Sequence, residues 1–166
     1  MDKDHIKRMY IEADKLIYDS GILSRNIDQK SDAASFIKIL GFEILLKCAL
    51  VINKQNPKRN HKYYKLWLKL PGKVKSEILK YADSRMADIN VSPNLEVLLN
   101  NFQFIFEKVG YFYEFYEGYT LDEQHELGQF WKDIGAPLDE AEVRYYPDEL
   151  ECLIFGISEY IKKTVF

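Results

Sequence analysis

Glu43 and Lys47 stand four residues apart in a stretch, residues 42–52, whose other members are Phe, Ile, Leu, Cys, Ala and Val. On a helix this spacing puts carboxylate and ammonium on one face, in the acid-first order that favours pairing. Phe36, Leu40, Leu50 and Val51 share that face, and charge among such side chains is costly unless it is paired or wetted. Two readings follow. The pair orients the helix as a structural ion pair, or both groups line a polar pocket facing a ligand, a partner or His61. His61 comes after the basic loop Lys58-Arg59-Asn60 and before Lys62. There an imidazole can cap its own helix, bond to Glu43, or exchange a proton with a substrate. In the catalytic version His61 is general base or acid, Glu43 orients it, and Lys47 or Arg59 stabilises charge developing on a phosphate. In the binding version Lys58, Arg59, Lys62 and Lys65 contact phosphate.

Other chemistry is hard to place. The chain has no Gly-x-Ser-x-Gly, Cys-x-x-Cys, His-Glu-x-x-His, phosphate-binding glycine loop or EF-hand loop, so nothing points to a metal or an organic cofactor. Cys48 and Cys152 fall in expected helices without ligand-spaced partners and read as buried reduced thiols. His5 and His125 read as surface residues.

Charge is uneven. The net charge is only −3, yet no acid lies between Glu43 and Glu77, where nine Lys or Arg occur. From Glu107 onward 14 acids face five bases. Such asymmetry suits an anion such as RNA, a neighbouring protein face, or a merely solvated basic surface. The cluster Tyr111, Phe112, Tyr113, Phe115, Tyr116 and Tyr119 could stack bases. Glu107, Glu114 and Glu117 among the rings favour core packing, with Phe112 and Tyr116 inward, or a dimer interface instead.

A chain of 166 residues with 47% apolar and 30% charged side chains makes one folded domain, residues 1–166. The longest apolar run, Ile44–Ile52, is interrupted by Lys47 and too short to span a bilayer. The N-terminus has neither signal-peptide nor transit-peptide character, so the expected compartment is the cytosol. Periodicity is helical throughout. The spacing predicts helices over Lys3–Ser20, stopped at Gly21, and over Ser31–Asn53, stopped by Asn56-Pro57 and apolar nearly all round, as befits a central helix. A short helix, His61–Leu70, would be capped by Asn60 and ended by Pro71-Gly72. Further helices are expected over Lys73–Ala87, from Ser92-Pro93 to about Tyr113, over Leu121–Asp133, and over Asp148–Lys163. The fold class is all-α, an up-and-down bundle of about five to seven helices.

The motifs resemble those of the HEPN-domain family, in the branch carrying Glu-Leu-x-Leu-Lys, then His-Asp-Leu-x-x-Leu ending in Leu-Pro, then Arg-Tyr-x-Tyr-Glu. Glu43-Ile44-Leu45-Leu46-Lys47 is similar to the first. His61 to Leu66, with Leu70-Pro71, is similar to the second, with Lys62 for the usual acid and Tyr63 for the usual leucine. Phe106 to Glu114 resembles the third, with Gly110 where arginine is usual. The similarity covers roughly residues 30–120. It implies an all-α bundle, often dimeric, from bacterial toxin–antitoxin, abortive-infection and other defence systems, many of whose members are metal-independent ribonucleases. Those enzymes use an arginine and a histidine four to six residues apart on one helix. Here only Arg59 and His61 are close, with a single residue between them, and positions i and i+2 do not share a helix face. The resemblance therefore implies a HEPN-like homodimer without the usual nuclease motif, binding RNA or a protein partner in a defence or stress system. The alternatives are an unconventional ribonuclease built on Glu43, Lys47 and His61, and an adaptor or antitoxin whose acidic C-terminal third neutralises a basic protein.

Overall fold

The computed structural model describes residues 2–25, 33–57, 59–137, 141 and 143–166. Among these the chain is helical without strands: α1 (Lys3–Ser24), α2 (Ala33–Ile52), α3 (Tyr63–Leu68), α4 (Gly72–Asp83), α5 (Leu95–Lys108), α6 (Leu121–Asp133) and α7 (Pro147–Val165). Single 3-10 segments, Ser92–Asn94 and Val109–Tyr116, lead into and out of α5. No helix of the described residues is long and apolar enough to cross a membrane.

Because α2 is apolar nearly all round, it must be enclosed. It lies against α1, α3, α5 and α7. Its buried side chains include Ile39, Phe42, Leu45, Leu46, Cys48, Ala49 and Leu50, and each fully buried Leu or Phe contributes about 1.5–3 kcal/mol relative to exposure. α1 brings Ile6 and Ala13 to this core, and α7 brings Leu150, Leu153, Ile157 and Ile161. Two close approaches rely on glycine. A methyl group at Gly41 would stand 2.7 Å from Ile17 of α1, and one at Gly156 would stand 2.5 Å from the Ile78 carbonyl oxygen of α4.

Several boundaries differ from the sequence reading, each for a local reason. Gly21 does not stop α1, which runs on to Ser24; the Ser24 hydroxyl donates to the Ser20 carbonyl inside that last turn. The Asn56-Pro57 pair does not stop α2. Lys54 does, by taking a left-handed conformation with φ 56°. The Lys54 and Gln55 N–H groups then donate to the Val51 and Leu50 carbonyls at 3.0 and 2.9 Å, the paired bonds of a Schellman ending. Beside this turn the Asn53 amide donates to the Ala49 carbonyl and to the Tyr160 hydroxyl, both at 2.8 Å, fastening the end of α2 to α7. α4 stops at Asp83, whose carboxylate accepts from the Val91 N–H and the Ser92 hydroxyl and pins the next loop. α5 ends at Lys108 rather than near Tyr113: Gly110 is a poor helix residue, and Tyr111 leaves helical geometry with φ −129°. In the 3-10 segment Phe112 packs on the core, whereas Tyr116 is exposed, not inward as one helical turn would require. Thr120 and Glu123 form a reciprocal capping box that starts α6. The expected Ser31 start of α2 lies outside the described residues. Cys48 and Cys152 are both buried and free.

Gly156→Ala is expected to lower unfolding free energy by about 2–3 kcal/mol in denaturant titration, because backbone rather than a flexible side chain blocks the methyl. Gly128→Ala is the contrasting case. It lies in α6 with nothing within 4 Å of the added methyl, and it should raise stability by about 0.5–1 kcal/mol through helix propensity.

Candidate functional site

Enclosure of α2 carries Glu43 inward with it, leaving the residue 3% exposed. A carboxylate so placed needs partners for both oxygens. Lys47, one turn on, donates from Nζ to Oε1 at 2.7 Å, and its side chain is 16% exposed. The second partner comes from the loop. Once the Lys54 turn reverses the chain, residues 55–62 bring His61 back onto α2, and His61 Nδ1 lies 2.9 Å from Glu43 Oε2. Lysine has only donors, and the carboxylate paired with it only accepts, so Nδ1 carries the hydrogen toward Glu43. The lone pair of a neutral ring then sits on Nε2, on a side chain that remains 47% exposed.

Ring packing fixes the imidazole plane. His61 stacks on Phe106 of α5 with centroids 5.2 Å apart and planes 19° from parallel, and Phe106 stacks in turn on Phe36 of α2 at 5.2 Å and 15°. Tyr63 stands edge-on to Phe42 beneath this pile. Its hydroxyl is wholly buried and has no hydrogen bond of acceptable geometry among the described residues. Burial first, then the nearby Glu43 charge, pushes that phenol far above its usual range.

The structure thus brings together Glu43, Lys47 and His61, which the sequence reading grouped as one candidate set. Three details differ. His61 does not begin a helix: α3 starts at Tyr63 with Lys62 as its N-cap residue. Asn60 is not the helix cap but turns the loop, its side-chain oxygen accepting the Lys62 N–H at 2.9 Å. With six residues α3 offers no N-terminal anion site, so positive potential here comes from side chains. Arg59, Lys62 and Lys65 are exposed, and none of them enters an ion pair among the described residues. Lys58 lies outside the described residues. The stacking of Phe106 on His61 and the orphan Tyr63 hydroxyl were not anticipated. Phe106 is 45 positions from His61, and no periodic pattern links the two. No group of three or more His, Cys, Asp or Glu among the described residues is placed to hold a metal ion.

What results is an all-α bundle with a carboxylate–imidazole pair at its rim, the carboxylate buried and neutralised, the imidazole oriented and open to solvent. No protein-family model, curated protein or solved structure matches the chain.

A double-mutant cycle of Glu43→Gln and His61→Ala, read by denaturant unfolding, should give a coupling of about 1 kcal/mol or more, as bonded neighbours do. Glu43→Gln alone should cost about 3 kcal/mol, the lower end of the range for breaking a buried pair, because Lys47 retains some access to water. Alkali should also act on the core around α2. Burial pushes the Cys48 thiol up to about 12. Above about pH 8.5 the unfolded chain therefore sheds a proton that the folded chain keeps, and stability falls with rising pH by up to about 1.4 kcal/mol per unit. Tyr63, also raised, adds to the fall above about pH 10. Stability plotted against pH should fall across this window, and Cys48→Ala should make its first part shallower, leaving the share of Cys152, whose thiol burial also raises.

Proposed function

We propose that this chain is a HEPN-like RNA-binding protein that lacks the family's usual nuclease motif, self-associates, and works in a bacterial defence, toxin–antitoxin or stress system. The observation that carries this reading is the exposed edge formed by Arg59, Lys62 and Lys65, cations without an ion pair among the described residues, beside a histidine held by Glu43 at 2.9 Å. Unpaired cations around a fixed polar centre suit a phosphodiester backbone: they give charge neutralisation without base readout. Departures from the family pattern agree with binding rather than the usual cleavage, since no arginine shares a helix face with His61.

The geometry of the histidine favours a second reading, a metal-independent ribonuclease. Nδ1 bonded to a carboxylate and an open Nε2 are the arrangement of a general base. His61 Nε2 would take the proton of a ribose 2′-hydroxyl, whose oxygen then attacks the adjacent phosphorus. The 5′-oxygen leaves with a proton returned by the imidazolium, giving a 2′,3′-cyclic phosphate and a 5′-hydroxyl end. Lys47 is bonded to Glu43 and serves to hold it. Arg59 is the freer group for stabilising charge on phosphorus.

One sample tests both. Fluorescence anisotropy of a labelled single-stranded RNA, titrated across salt concentrations, should show tight binding at low salt that weakens log-linearly. The Arg59→Ala/Lys62→Ala/Lys65→Ala variant should reduce the salt slope by about 2, at about 0.7 per lost contact. Absence of binding at low salt overturns the RNA reading and leaves a protein partner. Cleavage of the same RNA in chelator, lost in His61→Ala, promotes the second reading; RNA that stays intact removes it.

A further inference from the structure

One surface stands outside the site. α6 buries none of its residues. Leu127, Phe130 and Ile134, at i, i+3 and i+7, lie on one side of it and are all exposed, Phe130 by 61%. With Tyr119, Glu123 and Glu126, Leu127 and Phe130 line an open groove of about 310 Å3. The Glu123 carboxylate is fixed at the rim, because it accepts from the Thr120 N–H and hydroxyl, and these bonds lower its pKa. Neither Glu123 nor Glu126 meets a cation among the described residues. The groove is therefore apolar and aromatic within and anionic at its edge.

The chain carries the converse surface elsewhere. On α3, Leu68 is 53% exposed, and Lys65 and Lys69, at i−3 and i+1, stand exposed on either side of it. A leucine flanked by two ammonium groups matches an apolar groove with two carboxylates at its edge, with the lysine stems covering rings and their heads reaching the rim.

We infer that α6 of one copy docks on the basic α3 edge of a second copy, Leu68 entering the Leu127–Phe130 groove and Lys65 and Lys69 meeting Glu123 and Glu126. Such an interface is heterologous, joining two different faces, so each bound pair still offers one free groove and one free edge. It also places an acidic, aromatic helix over Lys65, one of the cations assigned above to RNA, and beside the other two. The second copy's α6 is then a built-in competitor for that edge. This competition, unlike the docking itself, rests on the RNA reading.

The docking is tested with two variants before any RNA is added. Leu127→Ala/Phe130→Ala destroys the groove and keeps the edge; α6 contributes no buried residue, so the fold should survive, as circular dichroism will show. Lys65→Glu/Lys69→Glu destroys the edge and keeps the groove. In sedimentation velocity the wild type should self-associate at low salt and do so about tenfold more weakly when the salt is raised toward molar concentration. Each variant alone should stay monomeric, and an equal mixture should form a particle of two chains and no larger. A monomeric wild type, variants that associate like the wild type, or a mixture that remains monomeric would overturn the docking; the first would leave the groove to some other basic partner. RNA added to the wild type should disperse its assemblies, and the groove variant should bind RNA at least about fivefold more tightly at concentrations where the wild type assembles. Complementation in the mixture with no effect of RNA would reject the RNA reading alone.

Discussion

A carboxylate inside an apolar helix is the constraint around which the rest is arranged. α2 can serve as the central helix only if Glu43 is neutralised where it lies, and one neighbour on the same helix satisfies only one of its oxygens. The second must be met from elsewhere in the chain. The Lys54 reversal, the Asn60 turn and the docking of His61 together do this. Once the imidazole is bound to Glu43, Phe106 and Phe36 lie parallel to it, and α5 is thereby held against α2 and the loop. Burial of one charge thus fixes the relation of three segments. Whether such a pair adds net stability over an apolar replacement is a separate matter, since desolvation offsets much of the attraction. What it imposes is register: few other placements of the loop would satisfy Oε2.

Structural and chemical roles of His61 need not compete. A histidine that only held the loop could be wholly buried. This one donates inward through Nδ1 and keeps nearly half its surface open. The same bond that anchors the loop defines the tautomer and ring plane that a proton-transfer group would need. Tyr63 beneath it is the discordant neighbour. Its hydroxyl is enclosed beside a carboxylate yet lacks an aligned bond to it, a rare condition for a buried polar atom.

Much of this was legible in the sequence, and the exceptions have physical causes. α2 is recognisable because its apolar residues fill every face, and α7 because acids stand in its first turn and lysines in its last. The Glu43–Lys47 pair followed from a fixed four-residue repeat. Contact with His61 could be listed as an option but not chosen, since loop closure over 18 residues depends on a left-handed lysine that no propensity anticipates. The extent of α1 was misjudged because a glycine in an exposed last turn weakens a helix without ending it. The aromatic run after Lys108 reads as α-helical because its rings recur at plausible spacing. Gly110 and the bend at Tyr111 move Tyr116 out to solvent.

That bend has a consequence for how this surface can change with time. Beyond it Phe112 still packs on the core, but α6 supplies no buried side chain. Substitutions there meet almost no penalty from the core, whereas Gly156 or Glu43 can scarcely vary at all. Natural variation along α6 is therefore filtered by what the helix touches rather than by folding. This segment can drift, gain or lose a binding preference, and be exchanged for another, while the bundle and its histidine remain as they are.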